Sequence, residues 1–210
     1  MSSAGRTKHK RRLDSVSSRG SSGRILDAAL SLITRRGDAN VTMAQIARAA
    51  RVSRQAVYLH FADRAALLVA LARHLDDTLG LPHEIQAIRE APSAIAMIEA
   101  QVSLQARKNP ALWAVARAVE AVRRTDAAAE RAWQDRLDHR LTGCRAIAAR
   151  LATDGTLRPG VDPLIAADLL WTMTSLRTWE DLVLGRGWSP EKYQEHLTRL
   201  LLETLTTHRA

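Results

Sequence analysis

The sequence predicts an all-α protein with a helix-turn-helix near its N-terminus and further helices in the remainder. From Arg24 onward apolar residues recur at helical spacing, and no stretch alternates as a strand would. Capping signals bracket short helices in the first third of the chain, and Pro and Gly punctuate longer ones beyond it. At 210 residues, 46% hydrophobic and 25% charged, the chain is long enough to bury a core in one domain or two small ones. Its single cysteine, Cys144, excludes an intrachain disulfide and any paired-cysteine zinc or redox motif. A reducing compartment fits, so the expected location is cytoplasmic. The most apolar run, Leu164 to Leu184, carries Asp168, Arg177, Glu180 and Asp181, which rules it out as a membrane span.

The net charge of +9 is unevenly placed. Residues 1–24 hold seven Lys/Arg against Asp14, a net of +6, whereas residues 25–77 carry +2 and residues 78–210 carry +1. The first segment, residues 1–22, mixes Ser, Gly and Arg with almost nothing apolar, so burial cannot offset its ordering entropy and disorder is expected. It lacks the apolar stretch of a signal peptide. It reads either as a solvated tail or as a basic arm that touches DNA phosphates or enters a minor groove.

The first helix carries the stripe Ile25, Leu26, Ala29, Leu32 and Ile33, with Gly37 as its C-terminal cap. A second begins at Thr42, whose hydroxyl can cap the helix while Gln45 reciprocates and Val41 staples onto Ile46. It ends near Ala50. Arg51 and Val52 intervene, and Ser53 caps a third helix, Arg54 to His60, with Val52 placed to staple onto Val57. Two short helices so closely joined form a helix-turn-helix. At 100° per residue, Ala56, Val57 and His60 share the inner side of the third helix, with Phe61 closing the core, while Arg54, Gln55, Tyr58 and Leu59 face out. That outer face suits a major groove: Arg forks onto guanine, Gln onto adenine, a tyrosine hydroxyl reaches a phosphate, and Leu meets a thymine methyl.

The segment Gly23 to Leu75 resembles the DNA-binding domain of TetR-family transcriptional regulators. The resemblance rests on Ile25-Leu26-Asp27-Ala28-Ala29, on Thr42 with Ile46-Ala47, on Val52-Ser53, on Val57-Tyr58 with His60-Phe61, and on Asp63-Arg64. It implies an N-terminal three-helix DNA-binding domain (residues 23–77), joined by a long fourth helix to a helical effector-binding and dimerisation domain (residues 78–210). It also implies that Thr42, Ser53, Tyr58, His60 and Arg64 hold phosphates. The chain departs from the family in carrying Arg51 where Gly is usual, which either strains the turn or adds a phosphate contact. It also departs at Gln55, where a small residue is common, and at Leu59, where a polar one is. The last two are the candidates for operator specificity.

In residues 78–210, Asn109-Pro110, Asp162-Pro163 and Ser189-Pro190 each read as a cap followed by the first residue of a helix, and Gly155 and Gly185 read as stops. Trp133, Leu137, Leu141, Cys144, Ala148 and Leu151 form one helical stripe, so Cys144 reads as a core residue rather than a redox sensor. All five tryptophans lie in this part, as core or as pocket walls. The family resemblance implies a small-molecule cavity here, of unidentified ligand. Trp113, Arg117 and Glu120 would line it from one helix face and Trp171, Ser175 and Trp179 from another, and Trp133 is a further candidate. Two last helices, roughly Pro163 to Leu184 and Pro190 to Thr207, carry wide apolar faces, Ile165, Leu169, Leu176, Leu182 and Val183 on one and Tyr193, Leu197, Leu200, Leu201 and Leu205 on the other. Each face is core or dimer seam. The resemblance implies a homodimer through these helices, with two recognition helices about 34 to 36 Å apart on a palindromic double-stranded operator, released when a small molecule moves the fourth helix.

No catalytic motif, metal-ligand cluster or cofactor-binding loop appears, and the seven histidines are scattered, so an enzyme is not expected, nor a cofactor. Asp76-Asp77 and Glu180-Asp181 point about 100° apart on their helices and read as solvated or ion-paired. A non-regulatory architectural DNA-binding protein is the alternative to a ligand-responsive repressor.

Overall fold

A computed structural model of the chain describes residues 20–35 and 41–207. The fold is all-α. Its helices are α1 (residues 20–35), α2 (Met43–Ala50), α3 (Arg54–His60), α4 (Arg64–Thr78), α5 (Leu81–Arg89), α6 (Ala94–Arg123), α7 (Ala127–Thr153), α8 (Pro163–Met173), α9 (Leu176–Trp179) and α10 (Pro190–Leu205), with a π-helical turn, Glu180–Gly185, following α9. The basic arm expected at residues 1–22 lies outside the described residues except for its last three, which are already helical; the cap expected at Gly37 also lies outside them.

The chain forms two compact units. The first takes α1 to α3, α4 as far as Leu75, and Ala114–Glu130; the second takes Asp76–Trp113 and everything from Arg131 on. In the first unit, Ile25, Leu26, Ala29 and Ile33 of α1 are buried as the stripe predicts, and Leu32 is half-buried. They share their unit with buried Ile46 and Ala47 of α2, Val57 of α3, and Leu67, Leu68, Leu71 and Leu75 of α4. Asp63 Oδ1 accepts from the Ala66 N–H at 2.7 Å and so caps α4. Asp27 and His74 pair at 2.7 Å.

The second unit has one contiguous core, in which Ile98 and Val102 of α6, Cys144, Ala148 and Leu151 of α7, Ala166 and Leu170 of α8, Trp179, and Tyr193, Leu197, Leu201 and Leu205 of α10 are all buried. The end of α10 is fastened to the segment after α7 by the Arg158 N–H to Leu205 carbonyl bond (2.8 Å) and by an isolated antiparallel bridge between Leu157 and Thr206. Asp76 takes Arg136 in a two-pronged ion pair at 2.7 and 2.9 Å, and Asp181 takes Arg177 at 3.1 Å, so these acids are paired. Asp162 and Ser189 cap α8 and α10 as expected, and Gly155, just past α7, has φ 67°.

Two sequence expectations are corrected. Asn109-Pro110 opens no helix, because α6 runs through it for 30 residues. Proline in a helix interior costs about 3 kcal/mol, but residues on both sides, Val102, Leu104 and Ala106 before and Ala114, Val115 and Ala118 after, are buried. That burial offsets the missing hydrogen bond. Conversely, Pro163 to Leu184 is not one helix. Thr174 turns its hydroxyl back onto the Leu170 carbonyl at 2.7 Å, and Ser175 caps a new helix by accepting from the Thr178 N–H at 3.0 Å. Ser and Thr compete in this way with the regular helix ladder.

Candidate nucleic-acid interface

The helix-turn-helix is built from local hydrogen bonds. Thr42 and Gln45 form the complete capping box: Thr42 Oγ1 accepts from the Gln45 N–H at 3.3 Å, and Gln45 Oε1 accepts from the Thr42 N–H at 2.8 Å. At the other end of α2, Arg51 adopts the left-handed conformation, φ 55° and ψ 43°, and the next N–H, of Val52, reaches back to the Ala47 carbonyl at 3.0 Å. Arg51 is the one non-glycine residue with positive φ among the described residues. It stands where glycine would be free of the side-chain penalty of this conformation. Ser53 Oγ then accepts from the Ala56 N–H at 3.0 Å and starts α3.

On α3 the two faces separate as the angles predict. Val57 is fully buried and Phe61, just past the helix, nearly so, whereas Arg54, Gln55, Tyr58 and Leu59 are exposed, Leu59 to 80%. Arg54 Nη2 donates to Tyr58 Oη at 3.4 Å and its guanidinium lies 5.6 Å from the Tyr58 ring centroid, so the two side chains hold each other on the outer face. His60 is half-buried with its ring 6.2 Å from that of Phe61. Arg64 Nε donates to the Val41 carbonyl at 3.2 Å. This bond joins the start of α4 to the residue before the Thr42 cap, so two expected phosphate contacts far apart in sequence are neighbours.

The expected effector residues are not brought together in the same way. Arg117 and Glu120 form an ion pair on α6 beside a shallow concavity of about 290 Å³ that also touches Ala121 and Arg124. Both belong to the first unit, whereas Trp113 belongs to the second, so the three do not make one site within either unit. Trp133 is half-buried on α7. Trp171, Ser175 and Trp179 do not share a helix face, because the break at Thr174 separates them and Ser175 is occupied as a cap. Trp179 is 2% exposed, in the core. Trp171 lies under Arg140, whose guanidinium is 5.3 Å from the ring centroid and whose Nη2 donates to the Trp171 carbonyl at 2.8 Å.

Arg140 is the residue that sequence reading passes over. In an arginine-rich helix it looks like one more solvated charge; the available signal is its place one turn before Cys144 on the apolar stripe. Cys144 itself is buried, and burial pushes its thiol pKa up, against the reactive-thiolate reading. Among the described residues no group of His, Cys, Asp and Glu is placed to hold a metal ion, and no helix is long and apolar enough to cross a membrane.

Residues 25–71 match the family model for bacterial regulatory proteins of the tetR family. No curated protein matches the sequence. Among solved structures, a transcriptional regulator from Saccharomonospora viridis in complex with choline superposes with a TM-score of 0.76 at 20% identity, over 92% of this chain and 100% of that one. A TetR-family regulator from Rhodococcus sp. superposes with a TM-score of 0.68 at 20% identity, over 89% and 98%. NalD, the secondary repressor of a multidrug efflux pump in Pseudomonas aeruginosa, gives 0.66 at 22% identity, over 90% and 98%. Residues 25–71 thus match the N-terminal model of the tetR family, and the chain has the fold of these solved structures.

Proposed function

We propose that this protein is a cytoplasmic, ligand-responsive transcriptional repressor that binds a palindromic operator as a homodimer and leaves it when a small molecule binds the second unit. The observation that carries the reading is the outer face of α3. Leu59 at 80% and Tyr58 at 41% exposure stand beside exposed Arg54 and Gln55 on a helix fixed by caps at both of its approaches. An exposed leucine between hydrogen-bonding side chains has no packing role, and it suits a thymine methyl in a major groove. Thr42, Arg51, Ser53, His60 and Arg64 flank that helix as phosphate contacts. The Ser53 hydroxyl accepts a backbone N–H bond as a cap and retains its own proton for donation to phosphate, whereas the Thr42 hydroxyl, also a cap, would turn its proton from Gln45 Oε1, 3.2 Å away, to do the same. The basic segment of residues 1–22 adds charge beside the groove.

A second copy would cover the exposed apolar side chains Leu164, Ile165 and Leu169 on α8 and Leu200 on α10, which leaves the two α3 helices to read successive major grooves. That the S. viridis regulator of the same fold is in complex with choline supports a small-molecule ligand for this chain. Gel shifts with the DNA upstream of the gene and of its neighbours, against unrelated competitor DNA, test the reading. Retention of the complex under excess competitor, with a steep loss of affinity as salt rises, is expected. Equal competition by unrelated DNA would assign a non-regulatory architectural protein instead.

A further inference from the structure

We propose that the second unit binds an organic carboxylate, with the Arg140 guanidinium as its counter-ion and the Tyr193 hydroxyl as a second donor. The proposal rests on the ligand-responsive reading above and names the chemical class of the effector.

Arg140 is half-buried between α7 and α8, and that burial lowers its pKa from the usual guanidinium range. An arginine nevertheless stays charged, and a buried cation is costly unless an anion meets it. Its hydrogen bond goes to a carbonyl, that of Trp171, and its stacking partner is the Trp171 ring. Among the described residues no carboxylate pairs with it, while Arg136, one turn earlier, takes Asp76. The Cys144 thiol nearby is held neutral by burial and cannot balance the charge.

The second observation concerns donors. Tyr193 is 0% exposed, feels the positive charge of Arg140, and has a hydroxyl without a hydrogen-bond partner. Trp179 Nε1, Trp113 Nε1 and Asn109 Nδ2 are likewise buried without acceptors. Buried polar atoms are nearly always paired, and each of these three can only donate. Trp179 and Tyr193 belong to the same core as Cys144, with Trp113 and Trp171 packed against it. Among the described residues, then, these donors meet no acceptor and Arg140 meets no carboxylate, and an organic carboxylate answers both. A cation such as choline would meet the charge of Arg140 and find none of these donors useful.

The test is thermal melting of the full chain at neutral pH and constant ionic strength with acetate, benzoate and octanoate, each against its amide, and with choline and chloride. Binding to the folded state raises the melting temperature with ligand concentration. At least one carboxylate is expected to give a saturable rise of several degrees that its amide does not give. Arg140→Met should weaken that carboxylate by about tenfold or more and Arg140→Lys by less, with Tyr193→Phe weakening it about threefold to tenfold. Without ligand, Arg140→Met should melt at or above the parent temperature, since an uncompensated buried charge has been removed. The proposal is overturned if no carboxylate acts, if amides, choline or chloride act equally, or if Arg140→Met binds carboxylate as the parent does. Operator anisotropy in parallel separates the two readings. Release of DNA by choline or an amide alone removes the carboxylate site and leaves the ligand-responsive repressor. Carboxylate binding by a chain that binds no operator does the reverse.

Discussion

In the helix-turn-helix, polar groups are satisfied within a turn of the chain: Thr42 by Gln45, Ser53 by the Ala56 N–H, Arg54 by Tyr58. In the second unit, Asn109 and Trp113, one turn apart on α6, and Trp179 and Tyr193, from further along the chain, bury donors that meet no acceptor. The first arrangement holds a rigid face up to a partner that arrives from outside. The second is what an interior looks like when part of its hydrogen bonding is left to a guest. On the proposed function, the difference separates a surface that reads DNA from an interior that receives a ligand, and it can be broken at several points.

The largest effect is expected at the junction of face and core. Phe61→Ala removes the buried ring that closes α3 and should cost about 3–5 kcal/mol in denaturant unfolding, with loss of DNA binding. A smaller pair of substitutions sharpens the contrast itself. Thr42→Ala removes half of a capping box and should cost about 1 kcal/mol, whereas Tyr193→Phe removes an unpaired hydroxyl and should leave the unliganded protein at least as stable. A loss of similar size in Tyr193→Phe would show that this hydroxyl is satisfied in the folded protein.

Arg51→Gly relieves a left-handed arginine and should stabilise the protein by about 1 kcal/mol. If Arg51 also touches phosphate, the same variant binds operator more weakly and with a shallower salt slope; unchanged DNA binding would make the residue a strained turn alone. The smallest effect concerns acid. Arg107 donates to Glu84 at 2.9 and 3.1 Å and, with Lys108, holds its carboxyl at about 2 rather than 4.5. A depressed carboxyl stabilises the fold above its unfolded value and loses that contribution as pH falls through the folded one. Melting of the parent should therefore decline from pH about 4.5 towards 2 more than that of Glu84→Gln; identical profiles would remove Glu84 from the acid response.

The same contrast decides what could be read from sequence. The capping box, the Ser53 cap and the two faces of α3 are set by residues at most five apart and are legible, whereas the left-handed Arg51 is hinted at only by the family resemblance, in which glycine is usual there. The Arg64 bond to the Val41 carbonyl joins residues 23 apart and no spacing records it; the family resemblance implies only a phosphate contact for Arg64. In the second unit the evidence is tertiary. Pro110 looks like a helix start until burial on both sides is known, and Thr174-Ser175 looks like helix interior until its hydroxyls are seen to take the ladder's acceptors and donors. Arg140 differs from Arg131 or Arg145 on α7 through what α8 and α10 pack around it, which no spacing on α7 records.

Base preference measured by selection from a random duplex pool, for the parent, Gln55→Ala and Leu59→Ala, tests the central claim most directly. The parent should enrich a palindrome whose half-sites lie one helical turn apart, and each variant should relax preference at one position per half-site by about 1–3 kcal/mol. Enrichment of no sequence, or identical preferences in all three proteins, would contradict the assignment of the α3 face as the reader of DNA.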